Sequence, residues 1–131
     1  EGILPGGGHA LLCASVNIEN DTLNKDQMLG YEIVKKSIRK PFYQILSNAG
    51  YNHEKCTLAA LNVENNFEYG WNLTTENEVN MMSEGIIDPT KVTRCALENA
   101  ASAAGVLLTT ECVMTEAPKE TNSSMPEQQM F

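Results

Sequence analysis

Apolar residues recur along much of this chain at the three- and four-residue intervals of an α-helix. From His9 to about Ile18 that spacing is kept by Ala10, Leu11, Ala14 and Ile18, with Gly6-Gly7-Gly8 at the helix start. A polar stretch, Glu19 to Asn24, breaks the pattern. Asn24 with Gln27 three residues later then reads as a capping box opening a long helix. Its stripe is Tyr31, Val34, Ile38, Phe42, Ile45 and Ala49. Pro41 lies within it and predicts a kink, because proline offers no amide hydrogen. Gly50 is placed to cap the C-terminus.

Asn52 to about Leu61 predicts a shorter third helix. Phe67 to Asn72, rich in aromatics, predicts a strand or hairpin arm. Thr75 to Ser83 is expected to form one or two helical turns closed by Gly85, and Ile86-Ile87 a very short strand. Asp88-Pro89-Thr90-Lys91 has the form of a helix start, with Asp88 as N-cap and Pro89 at the first helical position. The following helix should run from Thr90 to about Leu108. Its small residues Ala96, Ala100, Ala103 and Ala104 would admit a close neighbouring helix. Glu111 to Thr115 reads as an edge strand, and from Pro118 onward the polar composition predicts disorder. The fold class expected is therefore mainly α, one domain with a few short β-strands.

Charge narrows the range of partners. Nine basic against seventeen acidic residues leave a net charge of −8, which repels phosphate backbones and argues against nucleic acid. Nothing approaches 18 consecutive apolar residues, so no membrane helix is expected. Cys13, Cys56, Cys95 and Cys112 are far apart, with no CxxC pair. They read as buried free thiols of a reducing compartment. His9 and His53 are isolated and fall into no zinc spacing. The chain opens on Glu1 with no basic, apolar leader, which suggests an internal or truncated segment.

Three places could carry chemistry. Gly6-Gly7-Gly8 would let a ligand lie against backbone at a helix start, where free amides favour an anion, but taken alone it reads first as a flexible helix entry. No Lys-Ser or Lys-Thr follows, so this is not a Walker A loop. Asp88 either caps its helix or accepts ribose hydroxyls. Trp71 stacks on a base or fills core, and Asn72 reads a base edge or makes a turn. No nucleophile–base pair can be assembled from the residues present.

Taken together, Glu1-Gly-Ile-Leu-Pro-Gly-Gly-Gly8, Asn48-Ala-Gly50, Gly85-Ile-Ile-Asp-Pro-Thr-Lys-Val-Thr-Arg94 and the run ALENAASAAGVLLTTE from Ala96 to Glu111 resemble the group I chaperonins, the GroEL family. The resemblance implies that residues 1–117 form the C-terminal half of an equatorial, ATP-binding domain, with 118–131 as a disordered polar tail. It implies ATP as ligand, with Mg held by residues outside this segment, and no catalytic residue within it. Gly6 and Gly7 match the glycines that approach the nucleotide, and Asn72, Leu73 and Thr74 match the loop at the base, preceded by Trp71. Ile45 and Ile86 match apolar wall positions, and Asp88 matches the residue that holds the ribose. Implied partners are sister subunits in a seven-membered ring. Unfolded clients and a co-chaperonin would be reached through domains not present in these residues. The implied location is the bacterial cytoplasm, or alternatively the mitochondrial matrix. Trp71 and Leu73 are bulkier than the family's tyrosine and small residue, and Tyr43 and Asn52 stand where many members pair an arginine with an acid between rings. Those departures support an alternative: a divergent assembly module that has lost nucleotide binding.

Overall fold

Side chains cap the N-terminus of two of the five helices among the described residues. The computed structural model describes residues 1–18 and 22–117. The tail expected from Pro118 onward, and part of the polar break at Glu19 to Asn24, lie outside the described residues. Strand β1 (Ile3–Pro5) leads into helix α1 (His9–Asn17). Helix α2 (Lys25–Ser37) opens on the expected capping box. Gln27 N donates to Asn24 Oδ1 at 2.9 Å, and Asn24 N donates to Gln27 Oε1 at 3.1 Å. Helix α3 spans Lys40–Asn48, and helix α4 spans His53–Val63 with Lys55 N donating to the Asn52 side chain at 2.9 Å.

The single kinked helix expected across Pro41 is instead two helices, separated by a turn at Ile38 and Arg39. Within a continuous helix Pro41 would collide with the Ser37 carbonyl and leave it unbonded. In the first turn of a new helix neither cost arises. The break also scatters the apolar stripe. Ile38 and Phe42 are buried, but Val34 is 53% and Ile45 38% exposed, and α2 buries no residue. The core instead joins Leu12 of α1, Phe42 and Leu46 of α3, and Cys56, Ala59, Ala60 and Val63 of α4.

Two small antiparallel sheets complete the frame. Strands β2 (Tyr69–Asn72) and β3 (Asn77–Asn80) form a hairpin in which Trp71 faces Glu78. The hairpin arm was expected; β3 replaces the helical turns expected over Thr75 to Ser83. Asn72 Oδ1 accepts from Thr74 N at 2.8 Å, which bends the chain back, and Glu76 takes a positive φ of 53° to finish the turn. The second sheet pairs β1 with β4 (Ile87–Pro89), Leu4 opposite Asp88. The Ile86-Ile87 strand therefore begins one residue late.

Asp88 does not cap the last helix. Pairing with β1 holds it extended, and Pro89 stands at the N-cap with no side-chain bond. Helix α5 (Thr90–Thr109) buries none of its residues. Its alanine face meets no neighbouring helix among the described residues. The edge strand expected at Glu111 to Thr115 is not formed: among the described residues no strand pairs with this stretch. The architecture is mainly α with a few short strands, as the periodicity indicated. All four cysteines are free, but only Cys13 and Cys56 are buried. Cys95 is half-buried and Cys112 exposed.

Candidate functional site

The three glycines have three different surroundings. Gly6 donates its amide to the Ile86 carbonyl at 2.9 Å, and a Cβ there would lie 3.1 Å from the Ile87 backbone. Gly8 has φ +75°, and a Cβ would lie 2.7 Å from the Phe42 nitrogen. Gly7 has φ +65° and open space where a side chain would be. Between Gly6, packed on β4, and Gly8, packed on α3, the half-buried backbone of Gly7 is bare on the side a Cβ would take.

That bare backbone edges a cleft of about 260 Å³. Gly6, Gly7, Ile45, Trp71, Asn72, Leu73, Thr74 and Ile86 all line it, above a base of His9, Phe42, Leu46 and Met81. Eight of the nine residues expected from the sequence therefore meet there. Asp88, the ninth, does not line the cleft. It lies two residues beyond Ile86, half-buried on the strand paired with β1. Its carboxylate has no hydrogen-bond or ion-pair partner among the described residues.

The rim is held from behind. Trp71 donates its indole N–H to the Tyr51 hydroxyl at 3.2 Å and packs with Leu73 against the core. Trp71 is therefore both core edge and cleft wall. Asn72 is a turn-former whose Oδ1 accepts from the amides of Thr74 and Thr75, and its side-chain nitrogen has no partner among the described residues. The cleft is mostly apolar, with a few polar groups at one side, as small-molecule sites are. Its volume suits a base rather than a whole nucleotide. No cation lines it, and among the described residues no group of His, Cys, Asp and Glu converges to hold a metal ion.

His9 escaped the sequence reading because its partner is 57 residues away. It is 1% exposed, and its Nε2 lies 2.8 Å from the Asn66 carbonyl. A carbonyl only accepts, so Nε2 carries the proton. Cys13 Sγ sits 3.4 Å from the same nitrogen and donates toward Asn66 O at 3.6 Å. Burial, then the charge of Glu64, pushes the Cys13 thiol up to about 11. The thiol is therefore protonated at neutral pH and is no nucleophile. The pair clamps α1 to the loop that launches β2, and so fixes the rim against the glycines.

Burial also lowers the His9 pKa below the ordinary value of about 6.5. The unfolded chain accordingly takes up a proton that the folded one resists. The contribution of neutral His9 is complete above about pH 6.5 and is lost as pH falls through the folded-state value. Urea midpoints of the protein should drop between pH 7 and 5. The drop should be smaller in His9→Gln, which has nothing to protonate.

A profile of the TCP-1/cpn60 chaperonin family matches residues 1–118. The structure is similar to the crystal structure of a group III chaperonin in the open state, with a TM-score of 0.72 and 30% sequence identity. The match covers 86% of this chain and 24% of that one, so the chain spans about a quarter of its relative's length. The glycine-edged cleft, the helical frame and these likenesses agree: the chain belongs to the TCP-1/cpn60 chaperonin family.

Proposed function

We propose that this chain is the C-terminal half of the equatorial domain of a group I chaperonin, and that its cleft takes the base and ribose of ATP. The observation that carries the reading is the convergence of the open Gly7 backbone, Ile45, Ile86 and the loop 72–74 on one small apolar cleft. A purine has two flat apolar faces and a polar edge. Ile45 and Ile86 suit the faces, and the Asn72 amide and Thr74 suit the edge. Gly7 lets the sugar–phosphate approach within backbone contact, and the start of α1 favours negative charge there. Asp88, with no partner of its own, has two oxygens to accept from the ribose hydroxyls.

The chain's own part ends at binding. With no cation in the cleft, phosphate, Mg and hydrolysis are assigned to residues outside this segment. The motifs of the glycine run and of residues 85–94 support the group I branch, and with it a seven-membered ring that folds client proteins with ATP. A bacterial cytoplasmic location, or the mitochondrial matrix, goes with that branch. One observation favours the alternative of an assembly module without nucleotide: Asp88 stands outside the cleft lining.

Titration of Mg-ATP into the intact subunit separates the two. Ile45 is 38% exposed on the cleft wall, so Ile45→Trp should fill the cleft at little cost to the core. ATP is expected to bind at least about tenfold more weakly to that variant, a loss of roughly 1.4 kcal/mol. Unchanged affinity would place the nucleotide elsewhere, and no binding to the wild type would leave the assembly module.

A further inference from the structure

Among the described residues that line the cleft, His9 alone has a titratable side chain. It opens α1 directly after the glycine run and lies in the cleft floor beside Phe42, Leu46 and Met81. Its ring is 1% exposed. Nε2–H is committed to the Asn66 carbonyl at 2.8 Å, so a second proton must go to Nδ1. The Cys13 thiol stands 4.0 Å from that nitrogen and is a weak acceptor. Behind the thiol lies Glu64, at the end of α4, whose charge acts on Cys13. Arg39, from the turn between α2 and α3, donates to that carboxylate. The loop that launches β2 presents the backbone of Asn66 and Phe67 to the ring. Helix α3 contributes Phe42 and Leu46 to the same floor, and neither titrates. Among the described residues no carboxylate pairs with His9.

We infer that His9 is a positioning residue for the nucleotide, and that protons and ATP compete through its ring. The inference rests on the reading of the cleft as the site of base and ribose. The neutral ring serves that site twice: it is a flat part of the floor, and it ties down the loop ahead of Trp71 and Asn72. A charge on Nδ1 would be buried with no acid to pair, beside the positive end of α1. It could persist only if water reached the ring or the ring left the floor. A nucleobase lying there bars the water, and displacement of the ring removes what the nucleobase rests on. The phosphates pull the other way, since they attract an imidazolium. They pass over Gly7 at the open edge, where Mg and water screen them, whereas the unpaired charge is enclosed. Desolvation therefore prevails, and proton and nucleotide weaken one another by the same factor.

The test is titration of Mg-ATP into the intact subunit at about pH 7.5 and about pH 5.5, on either side of the ordinary histidine value. Affinity should fall at least about threefold between the two in the wild type. It should fall equally in His53→Gln, a control at the chain's other histidine, which is exposed. It should fall less in His9→Gln, whose amide can donate to the Asn66 carbonyl but takes up no proton. The phosphates titrate alike in all three proteins, so the difference between them belongs to His9. Circular dichroism at both pH values checks that the fold persists. A second measurement needs no substitution at His9. Incorporated 4-fluorohistidine keeps the shape of the ring and is protonated only at lower pH, so it should move the fall in affinity to lower pH. Equal falls in the wild type and His9→Gln overturn the inference. So does tighter binding by the wild type at the lower pH, or a profile that fluorohistidine leaves in place. If Ile45→Trp still blocks ATP in those cases, the nucleotide reading stands and the role of His9 alone falls. If ATP binds at neither pH, both fall together.

Discussion

Replacing Gly8 by alanine should destabilise the intact subunit by about 3 kcal/mol, combining the cost of a left-handed backbone with that of overpacking. At φ +75° an alanine is already strained. Its Cβ would also fall 2.7 Å from the Phe42 nitrogen, 3.0 Å from its Cα and 3.2 Å from the Pro41 carbonyl carbon. These are backbone atoms in the first turn of α3, and no rotamer change can move them aside. Gly7→Ala provides the contrast. Its φ of +65° carries the same conformational strain but its Cβ meets nothing, so the loss should be only about 1 kcal/mol. That methyl group would nevertheless sit at the edge of the cleft, so Gly7→Ala should weaken ATP more than it weakens the fold. Urea midpoints and ATP titrations on both variants check the split. Equal midpoints for the two would mean that α1 and α3 do not meet at Gly8 as described.

The second large effect concerns the 131-residue chain expressed alone. Helix α5 is 20 residues long and buries none of them. Val92 and Val106 are each 62% exposed, Leu107 72% and Leu108 87%. Each such side chain forgoes roughly 1.5–3 kcal/mol that burial would supply. An isolated helix of this length gains little from its own hydrogen bonds, so the packing that stabilises α5 must come from elsewhere. The matched chaperonin chain is about four times as long, with 24% of it covered. Alone, the chain is expected to be partly ordered or to aggregate, with strong binding of a hydrophobic dye and a broad thermal transition. A monomer that melts in one sharp, cooperative step would contradict this.

What was legible in the sequence was local. Asn24 and Gln27 announce a capping box because both partners lie within four residues. Gly50, with φ +87°, marks a helix end for the same reason. Asp88-Pro89 misled because its capping signature is local while the force that decides its conformation is not: β1, more than eighty residues earlier, pairs with it and draws it extended. Asn72, read as either a base reader or a turn-former, proved to be the residue that bends Thr74 and Thr75 into the hairpin. His9 was invisible as a clamp, since Asn66 is distant in sequence and offers only a backbone carbonyl. Only the family resemblance grouped the residues that line the cleft. Isolated glycines and isoleucines carry no sign that they will converge.

A structure of the intact subunit with a non-hydrolysable ATP analogue and Mg tests the central claim most directly. The adenine should lie in the 260 Å³ cleft, between Ile45 and the loop at Asn72 to Thr74. The sugar should pass over the bare backbone of Gly7, and Asp88 should accept from its hydroxyls. A nucleotide bound elsewhere, with that cleft filled by another part of the subunit, would contradict the account.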